Sequence, residues 1–285
     1  MEALNKLFWV SRPVSWINTA FPFAAAYYLA TSSVDLTLIL GSLFFLIPYN
    51  LLMYGINDVF DYESDLRNPR KGGIEGAVSD KRWHKLILWS APLSCLPFVA
   101  YLVAVGNNLA NFFLAFFTFT VVAYSAKGLR FKEKPFVDSL TSASHFVGPM
   151  IYAMALTKTS LVDNLAAIIA FTAWGMASHA FGAVQDVKAD READIASVAT
   201  AIGARQTARF AFVAYALAGF AMLFTAFPAN LAGVAALPYL FVVGRFWNIT
   251  DETCEEANRG WKHFILLNYI AGFLITMLLI WIAIR

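Results

Sequence analysis

Seven stretches of the chain carry no Asp, Glu, Lys or Arg: residues 13–34, 36–57, 86–126, 139–157, 164–185, 210–244 and 264–284. Roughly 20 residues of helix cross a bilayer, so most of these windows predict one membrane helix each. The third and sixth are too long for a single crossing, and each holds breaking residues near its middle, Gly106-Asn107-Asn108 and Pro228-Ala229-Asn230. Dividing both predicts nine transmembrane helices. The first window has no small-residue cleavage pattern behind a basic start and runs past the length of a signal-peptide core, so it reads as a retained span.

Composition agrees with that pattern. At 59% hydrophobic and 14% charged, the 285 residues have too little polar surface to cover a soluble globule. A net charge of +2 favours no nucleic-acid partner, and the natural partner of the surface is the lipid bilayer. If the N-terminus is inside, all of the 21 basic residues except Lys158 and Arg285 fall on that side. The positive-inside rule then makes this face cytoplasmic, in a multi-pass protein of the cell membrane. With no linker or low-complexity segment, residues 1–285 read as one membrane domain. Cys95 and Cys254 offer neither a disulfide framework nor a CxxC metal pair.

Acid gathers where two of the apolar windows end. The first cluster is Asn57-Asp58-Val59-Phe60-Asp61-Tyr62-Glu63-Ser64-Asp65; the second is Gln185-Asp186-Val187-Lys188-Ala189-Asp190-Arg191-Glu192-Ala193-Asp194. If helix continues through each, Asp58, Asp61 and Asp65 fall at i, i+3 and i+7, and Asp186, Asp190 and Asp194 at i, i+4 and i+8. Each set then projects from one face. Carboxylates held so close repel one another unless cations sit among them, and six exceed any helix-capping need. Mg²⁺ takes hard oxygen ligands and bridges carboxylates to phosphate oxygens, so the clusters fit a diphosphate site. Neutralising a leaving diphosphate is what allows an allylic carbon–oxygen bond to ionise. On this reading Asp58, Asp61, Asp186 and Asp190 are the carboxylates on which turnover depends.

Basic residues of the same face fit a diphosphate: Arg12, Arg70, Lys71, Arg130, Lys132 and Lys188, arginine as a bidentate fork and lysine as a compact charge. Membrane-surface anchoring is the bland alternative for each. Among many aromatic residues, Tyr54, Tyr124, Tyr152 and Trp174 lie near a cytoplasmic span end or inside a span, where a ring face can stabilise a cation. The histidines, His84, His145, His179 and His263, show no shared ligand spacing. His179 lies seven positions before Asp186, as a proton acceptor or as a satisfied interior polar group.

Asn57-Asp58-x-x-Asp61-x-x-x-Asp65, Asp186-x-x-x-Asp190-x-x-x-Asp194 and the stretch Tyr124-Ser125-Ala126-Lys127-Gly128-Leu129-Arg130-Phe131-Lys132 together resemble the signature motifs of intramembrane UbiA-type prenyltransferases. The resemblance implies an all-helical bundle with a central cavity under a cytoplasmic cap and Mg²⁺ as cofactor. Asn57, Asp58, Asp61 and Asp65 would form one metal site, and Asp186, Asp190 and Asp194 the other. Tyr124, Arg130 and Lys132, with Arg70, would hold the prenyl diphosphate. Where the family often carries Arg-Pro, this chain reads Pro69-Arg70. Ser11-Arg12-Pro13-Val14-Ser15-Trp16, the text from Asn57 through Ala77, with Tyr62-Glu63-Ser64 and Asn68-Pro69-Arg70-Lys71-Gly72-Gly73-Ile74-Glu75-Gly76, and Ser178-His179-Ala180-Phe181-Gly182-Ala183-Val184-Gln185-Asp186 are similar to the lycopene elongases of carotenoid biosynthesis. That branch implies dimethylallyl diphosphate as donor, a lycopene-like acceptor, and a place for a partner subunit of the pathway.

The alternatives are prenylation of an aromatic quinone or porphyrin ring, and a cation transporter. Transport sites favour the bilayer centre, whereas both clusters lie at span ends. A CDP-alcohol phosphotransferase expects one combined motif on one segment.

Overall fold

The computed structural model describes residues 2–66 and 79–285, with Ser64 and Asp65 described by their backbone alone. Among these residues all regular structure is helical, and contacts group the chain into two units. One comprises residues 1–131 and 145–160, the other 132–144 and 161–285.

The first unit contains α1 (Glu2–Val10), α2 (Trp16–Thr31), α3 (Leu36–Leu46), α4 (Pro48–Phe60), α5 (Tyr62–Asp65), α6 (His84–Val105), α7 (Asn108–Ser125) and the later turns of α8 (Val137–Leu156). Its starts are set by short polar side chains. The Asp35 carboxylate accepts the Leu38 N–H at 2.9 Å and Asn107 Oδ1 the Ala110 N–H at 3.0 Å, satisfying amides that the helix itself leaves open. The break at Gly106 and Asn107 therefore falls where the sequence placed it. Asn107 also donates from Nδ2 to the Ala155 carbonyl at 2.7 Å, tying the break to α8.

Proline at 48 divides the second apolar window. It has no N–H to give the preceding turn and marks the start of α4. Asn50, fully buried, repairs the ladder: its Nδ2 donates to the Phe45 carbonyl at 2.8 Å, to the Leu46 carbonyl at 3.0 Å and to Thr19 Oγ1 at 2.6 Å. Beside it pack Phe23, Phe44, Phe45, Tyr49 and Tyr152, with ring centroids 5.2 Å apart for Phe23 and Phe45 and 5.1 Å for Phe45 and Tyr49. In lipid the hydrophobic drive between helices is absent, so such packing and internal hydrogen bonds must hold the bundle.

The second unit holds the first turns of α8, α9 (Leu165–Val184), α10 (Val187–Glu192), α11 (Val198–Met222), a 3₁₀ stretch Ala229–Ala236, α12 (Leu237–Gly244) and α13 (Ala257–Ile284). The α9/α11 pair is built on small side chains. Ala173, Ala177 and Ala180 on one helix and Ala204, Ala208 and Ala211 on the other recur at helical spacing and are all buried, the composition that lets membrane helices approach closely. Gly203 interrupts α11 at φ 80°, ψ 162°, backbone that a Cβ strains.

Among the described residues, five helical stretches are long and apolar enough to cross a membrane: Leu36–Phe60, Lys81–Val105, Asn108–Ser125, Leu165–Val184 and Cys254–Ile284. This is a multi-pass arrangement. The sixth window divides as expected, since α11 ends at Met222 and a 3₁₀ stretch resumes at Ala229, so its second half is a short helix of mixed type.

Replacing Asn50 by leucine removes the side-chain donor to the Leu46 carbonyl and the one that the Phe45 carbonyl shares with Thr19 Oγ1. The expected cost is about 1–3 kcal/mol, read as a lower thermal midpoint of detergent-solubilised Asn50→Leu. A midpoint equal to wild type contradicts this role.

Candidate active site

The first acidic motif straddles the end of α4. Expectation of one continuous helix through Asp65 is corrected here: α4 stops at Phe60, Asp61 takes φ −99°, ψ 0°, and α5 starts afresh at Tyr62. Tyr54, Asp58 and Asp61 still share a face, at i, i+4 and i+7. Asp58 and Asp61 are 2% and 5% exposed. Buried carboxylates need compensation, and two arginines supply it. Arg12 Nη2 lies 2.8 Å from Asp58 Oδ1, with its guanidinium 4.2 Å above the Tyr54 ring. Arg130 Nη2 lies 3.8 Å from Asp61 Oδ1.

Local backbone aims both cations. Arg12, after α1, sits at φ 51°, ψ 75°. Arg130 follows α7 at φ 40° in a turn whose Gly128 has φ 88°. Such left-handed positions are unusual for residues with a Cβ and collect at functional sites. Asn57 joins the cluster through Ser125, whose Oγ donates to Asn57 Oδ1 at 2.8 Å. Tyr124 sets its ring edge-on to His145, centroids 5.3 Å apart. The side chain of Asp65, and Arg70 and Lys71 altogether, lie outside the described residues.

The second motif is also interrupted. α9 ends at Val184, Asp186 precedes α10, and Asp190 lies in the first turn of α10. Asp194 lies beyond the end of α10 at φ 53°, and the Ile195 N–H returns to the Asp190 carbonyl at 2.8 Å, the six-to-one bond of a Schellman turn. Asp186 and Asp190 are half-buried, while Asp194 is exposed. Lys188 donates from Nζ to the Glu252 carbonyl at 2.6 Å. Lys132, half-buried in a 3₁₀ turn, belongs to the second unit.

Two acids that the sequence reading passed over anchor this unit. Asp138, fully buried, accepts the Ser139 N–H from Oδ1 at 2.7 Å and the Val198 N–H from Oδ2 at 2.7 Å. Asp251 accepts the Ala204 N–H at 2.7 Å, capping the part of α11 after Gly203, and pairs with Arg191 at 2.6 Å. Partial burial pushes the Asp251 carboxyl up, but the Ala204 amide and Arg191 outweigh it and hold the group below its ordinary range. Neither acid belongs to a spaced motif; Asp138 lies in the first turn of α8, whereas the helix start that Asp251 caps is 47 residues away along the chain.

Among the described residues no group of three or more His, Cys, Asp or Glu side chains is preassembled as a metal cage. The donor set nevertheless suits Mg²⁺ with a diphosphate: hard oxygens at Asn57, Asp58 and Asp61, which keep water and share the ion with phosphate. Arg12 Nε is buried without a hydrogen-bond partner among the described residues, a donor that fits a phosphate oxygen.

The chain belongs to the UbiA prenyltransferase family, whose model matches residues 19–269. It is 51% identical over 281 residues to the lycopene elongase/hydratase of Corynebacterium glutamicum, covering 98% of both chains. It is 54% identical over 280 residues to the C(50) beta-cyclic carotenoids biosynthesis protein LbtBC of Dietzia sp., covering 98% of this chain but only 65% of that longer protein. A UbiA homolog from Archaeoglobus fulgidus, solved with DMAPP and Mg²⁺, matches the fold with TM-score 0.69 at 18% identity, over 93% of this chain and 98% of that one.

For a carboxyl held below its ordinary pKa, the contribution to stability is full above that range and is lost as pH falls through the folded value. The thermal midpoint of wild type should therefore exceed that of Asp251→Asn at pH 7, with the gap closing below about pH 4, the ordinary carboxylate range. A gap independent of pH contradicts the pairing.

Proposed function

We propose that this chain transfers a dimethylallyl group from its diphosphate to the ends of lycopene, in the biosynthesis of long-chain carotenoids. One observation carries the reading: two buried aspartates at the end of α4, each matched to an arginine, in a chain 51% identical from end to end to a lycopene elongase/hydratase. Carbocation chemistry at a membrane-dissolved acceptor needs a charged site at the boundary of an apolar region, and α4 builds one.

In this account Asn57, Asp58, Asp61 and Asp65 are ligands of Mg²⁺ at the first motif, and Asp186, Asp190 and Asp194 at the second. When bound, Mg²⁺ supplies positive charge that stabilises the departing diphosphate. Arg12 and Arg130 exchange carboxylate oxygens for phosphate oxygens, to which guanidinium bonds bidentately. Lys132, Lys188, Arg70 and Lys71 add positive charge, and Tyr124 orients the diphosphate end. The resulting allylic cation adds to the terminal double bond of the acceptor, and the tertiary cation so formed loses a proton or takes up water.

The five long apolar stretches, together with α2, α8, α11 and Ala229–Gly244, make nine crossings, with the N-terminus and both motifs cytoplasmic. That orientation agrees with the distribution of basic residues.

Mass spectrometry of carotenoids after membranes are incubated with lycopene, dimethylallyl diphosphate and Mg²⁺ should show products heavier by one or two prenyl units. Asp58→Ala and Asp186→Ala should each reduce product at least about 100-fold, the scale of losing one electrostatic transition-state contact, while still inserting into membranes. Product at wild-type levels from either variant, or a lycopene pool left untouched by wild type, would overturn the assignment.

A further inference from the structure

From Leu165 to Val184, α9 carries one titratable side chain, His179. An ionisable group inside a membrane helix is costly and marks function by default, and its partner is the informative part. One partner here is Ser139, whose Oγ lies 3.1 Å from His179 Nδ1. Ser139 is itself held. It is fully buried, and its N–H and that of Val198 both donate to Asp138, each at 2.7 Å. A chain of hydrogen bonds thus runs from the first residue of α11, through the start of α8, to the imidazole on α9. Val198 is also where the segment leaving the second acidic motif enters helix, so one anchor fixes both the ring and the motif's exit.

His179 lies five residues before the end of α9 at Val184, about 7.5 Å along the helix axis, and Asp186 follows just past that end. That depth suits a group acting on the hydrocarbon end of a reaction whose diphosphate sits at Asp186. We propose that His179 is the base that removes the final proton, with Asp138 and Ser139 as positioning residues; the inference rests on the prenyl-transfer reading above. As the carbon–oxygen bond to diphosphate breaks, the allylic carbon bonds to one carbon of the acceptor's terminal double bond, leaving the other as a tertiary cation. His179 takes a proton from a carbon next to that centre, the carbon–hydrogen pair becomes the new double bond, and the imidazolium later passes the proton to water. In the tautomer that donates Nδ1–H to Ser139, the accepting lone pair is on Nε2. Without the base, water adds to the cation instead, giving an alcohol and releasing a proton.

Membranes carrying wild type, His179→Gln or Ser139→Ala are incubated with lycopene, dimethylallyl diphosphate and Mg²⁺, and the ratio of deprotonated to water-added carotenoid is read by mass spectrometry beside diphosphate release. His179→Gln should lower the ratio at least tenfold, and Ser139→Ala should lower it less, in the same direction. A ratio equal to wild type in both variants overturns the assignment even if turnover falls, because a structural role slows both products together. If His179→Gln does not accumulate, Ser139→Ala alone decides by the same criterion. Absence of diphosphate release by wild type would instead sink the transfer reading beneath it.

Discussion

The ion pair of Arg12 and Asp58 is the contact around which the first unit is arranged. A carboxylate that is 2% exposed at the end of an apolar span has lost most of its hydration, an effective penalty of several kcal/mol per ion in proteins. The pair at 2.8 Å, together with the stacking of Arg12 on Tyr54, offsets that penalty. Much of the local structure is a means to this contact. α1 ends so that Arg12 can turn through left-handed backbone, α4 is re-registered at Pro48 with Asn50 repairing the ladder, and the turn after α7 returns Arg130 toward Asp61. The same cations have the chemistry to receive phosphate oxygens, so the interactions that make the acids tolerable at rest also suit them to a diphosphate.

The second unit handles its acids differently. Asp186 and Asp190 lie on and beside a short helix, and order comes from acids outside the motif. Asp138 pins the first amide of α11, while Asp251 caps α11 after Gly203 and clasps Arg191. Helix starts that would otherwise expose open amides are thereby tied to buried or half-buried carboxylates. A membrane enzyme working with carbocations needs such rigidity, since the intermediate reacts with whatever group is nearest.

Much of this was legible in the sequence because a bilayer imposes a simple rule on length and polarity. The charge-free windows are helical, Asn107 breaks the third one, and the two motifs fall at helix ends. The register of the motifs was not legible. A strict i, i+3, i+7 reading carried helix through Asp61, whereas the backbone pauses there and restarts, a local choice that periodicity does not encode. Lys188 illustrates a second limit: periodicity does not encode that its ammonium donates to the Glu252 carbonyl, 64 residues along the chain. Asp138 and Asp251 were passed over because each is a single acid whose importance comes from amides far along the chain, a relation that only folding creates.

The proposed transfer requires that the carboxylates of each motif hold divalent metal when diphosphate is bound. Electron paramagnetic resonance of Mn²⁺ added to the detergent-solubilised protein with an unreactive allylic diphosphate analogue tests that directly. Tight Mn²⁺ binding that requires the diphosphate, and that weakens at least tenfold in both Asp61→Asn and Asp190→Asn, is the predicted result. Mn²⁺ binding that ignores the diphosphate, or that survives either substitution unchanged, would contradict it.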